Sequence, residues 1–390
     1  MKENCEDIYN LNFPGIESIE KKVYASTFSR LPLAVVRGEG MYLWDICDKK
    51  YLDMFSGIAV SAIGHAHPAL VNAVCEQSKK LIHVSNWLYT LPQLELAKLL
   101  IKISGMQRVF FTNDGTEAVE TSLKLAHKVT GKKHFIAAKG AFHGRTLGSL
   151  SATYSKKARM PFKQILKYRN TAFVNYNDID ALESAIRKNK DKIAAVIVEP
   201  VQGESGVIIP DDGYLAQVRR ITRENDVLMI ADEIQTGFGR CGRMFACEYE
   251  SVKPDIMCVA KGIGGGFPLG AALFRQGLDF QPGEHGGTYL GGPLACAASK
   301  AVIETIISEN LVKNSEVMGR YILENLIGEG FNARGRGLMI GIDVEDGKRK
   351  VMKLIKKGIL TIFSNNTVRV LPPLIVKKEH ADEFLREFRE

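Results

Sequence analysis

Five apolar runs of three to five residues, at 109–111, 135–138, 194–198, 227–231 and 256–260, set the strongest limit on how this chain can fold. Each is too short for a helix, and none shows the polar alternation of a half-exposed strand. They read as strands buried on both faces. Amphipathic stretches lie between them. In 116–130, Val119, Leu123 and Ala126 recur at helical intervals, and in 214–225 Leu215, Val218 and Ile221 do the same. Strands alternating with helices point to an α/β fold whose mostly parallel sheet is covered on both sides. A chain of 390 residues has room for one large domain and one smaller one.

Beyond about residue 275 the character changes. Helical segments at 297–308 and 317–327 precede isolated strands at 338–344 and 367–371, and a last helix is expected near 378–388. This is the pattern of a smaller α+β domain. Gly40-Met-Tyr-Leu-Trp-Asp45 and Lys50-Tyr-Leu-Asp53 read as a hairpin packed beside it. The expected division is an N-terminal segment 1–55 packing with the small domain, a large domain 56–280 and a small domain 281–390.

Several function classes fall away. The net charge of +8 is spread along the chain, and the basic clusters at 187–192 and 348–357 are mixed with acidic, polar or apolar residues. Solvated helix faces explain them better than a nucleic-acid patch. No apolar run approaches the roughly 20 residues of a membrane span. Residues 1–12 are acidic and polar, unlike a signal peptide. The seven cysteines (Cys5, Cys47, Cys75, Cys241, Cys247, Cys258, Cys296) are odd in number and scattered, without zinc spacing. Reduced thiols in a cytoplasmic protein, and no metal, are expected.

In such a sheet ligands sit beyond the C-terminal ends of the strands, so the residues just after the apolar runs matter most. Asp232 ends one run and is followed by Glu-Ile234-Gln235-Thr-Gly237. A buried carboxylate there can pair with a protonated pyridine nitrogen and keep the ring an electron sink; an Asp after a strand also serves as a helix cap. Lys261 ends another run, before Gly-Ile-Gly-Gly-Gly. Its amine could condense with an aldehyde cofactor, or it could be a snorkelling surface lysine. The glycine run matches neither a P-loop nor a dinucleotide fingerprint.

Phe110-Phe-Thr-Asn-Asp114-Gly115-Thr116-Glu117 is a strand-to-helix turn whose free N–H groups suit a phosphate. It also reads as a plain cap, with Asp114 as N-cap and Glu117 three residues on. Phe142-His-Gly-Arg145-Thr offers a ring to stack on a cofactor and a guanidinium to clamp a carboxylate, or an ordinary loop. Glu199-Pro-Val-Gln-Gly-Glu204 follows the run at 194–198. Arg369 lies between Val368 and Val370, where strand alternation lets it face solvent.

Taken together and in this order, Gly64-His-Ala-His-Pro68, Phe142-His-Gly-Arg-Thr146, Glu199-Pro-Val-Gln-Gly-Glu204, Asp232-Glu-Ile-Gln-Thr-Gly237 and Ala260-Lys261-Gly resemble the class III (fold type I) aminotransferases that depend on pyridoxal phosphate (PLP). Within them the resemblance is strongest to the acetylornithine aminotransferase group, and it runs from about Pro32 to Pro373. It implies the fold of that family: a mostly parallel central sheet in a large domain, plus a smaller α+β domain. It implies PLP carried on Lys261, whose amine also moves the substrate proton. Asp232 would pair with the pyridine nitrogen, Ile234 and Phe142 would cover the ring faces, and Gln235 would contact the phenolic oxygen. Backbone at Gly115 and Thr116 would hold the phosphate, with Thr288 reaching it from the other subunit of a homodimer.

By the same resemblance, Arg145 grips the carboxylate farthest from the reacting amine. Glu204 neutralises Arg369 while the amine-terminated donor binds. It then frees Arg369 for the α-carboxylate of glutamate or 2-oxoglutarate. The implied reaction passes the δ-amino group of N2-acetylornithine to 2-oxoglutarate, giving N-acetylglutamate semialdehyde and glutamate in arginine biosynthesis. Departures from the pattern are Asp114 for Ser or Thr, Gly287 for a serine that contacts substrate, and Gly292 for Asn. They bear on the substrate more than on the cofactor. Ornithine, 4-aminobutyrate or a carrier-bound lysine are rival donors, against which Phe142-His-Gly-Arg145 and Val84-Ser-Asn-Trp87 speak. A PLP lyase or aminomutase would have no use for both Glu204 and Arg369. A binding protein without activity would be expected to have lost Lys261.

Overall fold

The computed structural model describes residues 12–166, 170–189 and 191–389, so Cys5 and the start of the segment 1–55 lie outside it. Strands β1 (Val35–Glu39), β2 (Tyr42–Asp45) and β3 (Lys50–Asp53) form an antiparallel meander, in which β2 and β3 are the expected hairpin.

All five apolar runs enter one seven-stranded sheet. Its strands are β4 (Arg108–Thr112), β5 (His134–Ala138), β6 (Asn170–Val174), β7 (Ile193–Val198), β8 (Leu228–Asp232), β9 (Ile256–Val259) and β10 (Gly270–Phe274), in the order β4-β10-β9-β8-β7-β5-β6. From β6 to β9 each neighbour is parallel, and β10 is antiparallel to both β4 and β9. The interior strand β7 is buried along its whole length. Ala195 and Ile197 pack in one cluster with Val119, Leu125 and Ala126 of the helix Gly115–Thr130. Val196 and Val198 pack in another with Leu182, Leu215, Val218 and Ile221 of the helices Ile179–Lys188 and Tyr214–Glu224. This two-sided burial is why the runs lack polar alternation, and each large aliphatic side chain contributes about 2 kcal/mol.

The C-terminal part adds β11 (Ala333–Arg336), β12 (Met339–Asp343), β13 (Ile359–Leu360), β14 (Ile362–Ser364) and β15 (Thr367–Val370). Four of these make an antiparallel sheet in the order β11-β12-β15-β14, while β13 joins the N-terminal meander parallel to β3. Helices Pro293–Ser308, Leu311–Gly328 and Lys378–Arg389 fall where helical periodicity puts them. The first of them packs on helices Pro68–Ser78 and Leu91–Ser104.

Since β4, β5, β7, β8 and β9 run in one direction, the residues following them collect along one edge of the sheet. Among the described residues no helix is long and apolar enough to cross a membrane, and no group of three or more His, Cys, Asp or Glu could hold a metal ion.

Candidate active site

A cavity of about 430 Å³ opens along that edge. The turn after β4 contributes Asp114, Gly115 and Thr116; the loop after β5 contributes Phe142, His143 and Arg145. Glu199 and Glu204 follow β7, Asp232 ends β8 with Ile234 and Gln235 just after it, and β9 delivers Lys261. Lys261 has a φ of 47°, a left-handed conformation that costs a non-glycine residue about 1 kcal/mol and is typical of functional sites.

Asp232 is buried at its strand end. Its Oδ1 accepts a hydrogen bond from the Ile234 N–H at 3.1 Å, and its Oδ2 lies 2.7 Å from His143 Nδ1. Burial works against a charge on His143. The hydrogen bond to Asp232 and its charge, with Glu199 behind, nevertheless leave the histidine pKa raised. His143 Nε2 is buried without a hydrogen-bond partner among the described residues. Glu199 accepts from the N–H groups of Phe142 at 3.1 Å and Gly203 at 3.4 Å. Burial pushes its pKa up to about 7, although the His143 charge pulls the other way.

Arg369 stands behind Glu204 and Gln235, at 0% exposure. It donates through Nη1 to Glu204 Oε1 at 2.8 Å and to Ser364 Oγ at 3.2 Å, and through Nη2 to Gln235 Oε1 at 2.9 Å. Alternation allowed this residue to face solvent. It does not, because β15 lies between β12 and β14 and is buried along its whole length. Burial raises the pKa of Glu204, but Arg369 and then Lys261 outweigh it and hold that carboxyl below its ordinary value. Burial lowers the pKa of Lys261 against the opposing charge of Glu204, so its amine loses its proton more readily than in water.

Both readings of the turn at Asp114 hold together. Asp114 Oδ1 accepts from the Glu117 N–H at 2.9 Å, and Glu117 Oε2 accepts from the Asn113 N–H at 2.8 Å. The carboxylate is spent on the cap, while the first N–H groups of the helix, at Gly115 and Thr116, have no intrahelical acceptor and suit an anion. Arg145 is exposed, its guanidinium carbon 5.9 Å from the Phe142 ring centroid. Gly287 and Thr288 are exposed and do not line the cavity of their own chain.

The family described as aminotransferase class-III matches residues 23–390. This chain belongs to the class III aminotransferases. The acetylornithine aminotransferase of Methanothermobacter thermautotrophicus is 46% identical over 377 residues, which span 94% of this chain and 95% of that one. A structure of the ornithine aminotransferase from Toxoplasma gondii, described as showing partial occupancy of PLP at its active site, superposes with a TM-score of 0.90 at 28% identity and covers 97% of this chain and 93% of its own. The acetylornithine aminotransferase from Elizabethkingia anophelis superposes with a TM-score of 0.85 at 31% identity, covering 97% of this chain and 98% of its own.

PLP is the cofactor of this aminotransferase, and the donor set fits it. Helix-start N–H groups with the Thr116 hydroxyl suit a phosphate, the Asp232 carboxylate suits a ring nitrogen, and the buried Lys261 amine, its pKa lowered, suits an aldehyde. Sequence reasoning gave no role to His143 or Glu199, and none to Ser364. For the first two the signal was present: both stand in motifs that follow buried strands.

Proposed function

We propose that this class III aminotransferase transfers the δ-amino group of N2-acetylornithine to 2-oxoglutarate, yielding N-acetylglutamate semialdehyde and glutamate in cytoplasmic arginine biosynthesis. The observation that carries the reading is the Arg369–Glu204 pair, closed at 2.8 Å behind the cavity that holds Lys261. The donor brings no carboxylate to its reacting carbon, so a bare guanidinium there would be costly and Glu204 neutralises it. The acceptor carries a carboxylate on that carbon and needs the guanidinium. Gln235 and Ser364 hold Arg369 in place while Glu204 gives way. Arg145 takes the far carboxylate of either substrate.

Bound PLP supplies a carbonyl for the amine and a ring that takes up electron density. Lys261, held toward its neutral form, accepts and returns the proton at the substrate carbon. Asp232, steadied by His143 and the Ile234 N–H, keeps a proton on the ring nitrogen. Ile234 and Phe142 would cover the ring faces, Gln235 would meet the phenolic oxygen, and Gly115 and Thr116 would hold the phosphate.

The reading includes a homodimer. Trp87, Tyr89 and Tyr289 are 94%, 96% and 68% exposed, and the Asn86 amide donates to the Leu290 carbonyl at 2.9 Å, so the segments that carry these exposed rings adjoin near Thr288. Thr288 is thereby offered to a second subunit. We also keep the division at 1–55, 56–280 and 281–390. The β3–β13 pairing supports it, and the packing of helix Pro293–Ser308 on large-domain helices ties the two parts together.

The test is a half-reaction screen, following loss of the visible cofactor colour on adding acetylornithine, ornithine, 4-aminobutyrate and lysine separately. Acetylornithine should react fastest. Ornithine is the second reading, favoured by the likeness of the fold to the Toxoplasma gondii ornithine aminotransferase, and a response to 4-aminobutyrate alone would overturn both. Lys261→Ala should abolish turnover and visible absorbance.

A further inference from the structure

The turn that carries Arg145 is anchored on a neighbouring helix. The helix Gly115–Thr130 presents Thr116 and Glu120 four residues apart, on one face. Thr116 Oγ1 accepts from the Arg145 N–H at 3.2 Å and lies 2.5 Å from Ser149 Oγ. A single oxygen of Glu120, Oε1, accepts from Thr146 Oγ1 at 2.6 Å, from the Gly148 N–H at 2.5 Å and from the Ser149 N–H at 3.2 Å. Glu120 forms no ion pair among the described residues and does not line the cavity. Its charge is spent on this turn. Thr146 begins the helix Leu147–Ala152 without a side-chain cap of its own, and Glu120 supplies the missing acceptor.

The residues flanking Arg145 record how closely the turn is pressed onto the helix. At Gly144, with φ of 131°, a Cβ would stand 2.2 Å from Thr116 Oγ1; at Gly148 it would stand 2.0 Å from Glu120 Oε2. A side chain at either position would push the turn off its anchors.

We propose that Glu120 is a positioning residue for Arg145, fixing the reach of its guanidinium and so the affinity for the far carboxylate of the substrate. This rests on the reading of Arg145 as the carboxylate grip. A guanidinium clamp depends on orientation, so loosening its backbone support weakens binding before it affects chemistry.

The probe is glutarate, which has both carboxylates of the acceptor and no keto group, titrated calorimetrically into the holoenzyme. Glu120→Ala should raise its Kd about tenfold and Arg145→Ala about a hundredfold, with the double variant no worse than Arg145→Ala alone. Glu120→Gln keeps an oxygen at the same place and should restore most of the affinity. In Glu120→Ala the KM for 2-oxoglutarate should rise by more than kcat falls. If Glu120→Ala does not fold, Glu120→Asp, one methylene short of the turn, carries the same cycle. Additive effects in the double variant, or a lower melting temperature with an unchanged Kd, would overturn the role of Glu120. An Arg145→Ala variant that binds glutarate normally would instead sink the reading of Arg145, and the proposal with it.

Discussion

Arg369 and Arg145, which we propose serve two ends of one substrate site, are built in opposite ways. Arg369 lies on a buried strand at 0% exposure, its guanidinium held by Glu204, Gln235 and Ser364. Arg145 is exposed, and what fixes it is the backbone on either side, tied to Thr116 and Glu120. A buried cation needs an internal counter-ion, and a counter-ion that can move turns the site into a switch. An exposed cation needs none and can grip any carboxylate that arrives, but its aim must be set from behind. On the proposed reading, this difference lets one cavity take two substrates: one end changes its charge, and the other keeps a constant hold.

The comparison breaks most visibly at Arg369. Arg369→Ala should lower kcat/KM for 2-oxoglutarate on the order of a hundredfold, about 2.7 kcal/mol, by removing a charge-assisted contact from a dry site. The donor half-reaction should change far less, and stopped-flow measurement of the two half-reactions separately checks this. Equal losses in both would mean that Arg369 is structural and not switched. Glu204→Ala attacks the same pair from the other side. It strips a buried guanidinium of its counter-ion, and about 3 kcal/mol of stability should go, the low end for such a loss because Gln235 and Ser364 remain. The thermal midpoint of the holoenzyme reads it.

The same contrast divides the two glutamates that follow β7, Glu199 and Glu204. Glu204 has an arginine and ionises early, whereas Glu199 lies among His143, Asp232 and backbone N–H groups, with its pKa pushed up to about 7 by burial. The folded chain therefore keeps the Glu199 proton longer than the unfolded chain, in which the group titrates at an ordinary 4.5. Its contribution favours folding below pH 4.5 and is lost as the pH rises through about 7. Glu199→Gln never carries the charge. Relative to the parent it should gain about 2 kcal/mol between pH 5 and pH 8, at 1.36 kcal/mol per pKa unit less a margin for incomplete titration at pH 5. Melting curves of both proteins at the two pH values would show a constant offset if Glu199 titrated normally.

The two ends of the site were unequally legible in the sequence. The strands that deliver Asp232 and Lys261 declare themselves, because burial on both faces leaves only apolar residues. Strands β6 and β10 did not: β6 is an edge strand whose residues are exposed or partly buried, and β10 follows Gly264-Gly-Gly-Phe-Pro268, which masks its start. The inward turn of Arg369 was hidden for a different reason. Alternation separates two faces of a strand but does not say that both are covered. The His143–Asp232 pair joins residues 89 positions apart and exists only once β5 and β8 share a sheet. Motif order showed that these residues belong together; it could not show which would touch.

The smallest expected effect sharpens the comparison most. Arg145→Ala should change stability by less than about 0.5 kcal/mol, the ordinary range for a surface substitution. The guanidinium is in no ion pair among the described residues, and its nearest ring, Phe142, lies at 5.9 Å, near the outer limit of a useful cation–π contact. The hydrogen bonds that hold the turn use the Arg145 backbone N–H and its neighbours, all of which survive truncation of the side chain. Binding of a dicarboxylate should nonetheless collapse, since nothing else described at that end of the cavity is a cation free to meet it. Loss of binding without loss of stability is what a dedicated substrate grip predicts. A melting temperature several degrees lower would mean instead that the arginine holds its loop together, and the division of labour between the two guanidinium groups would fail.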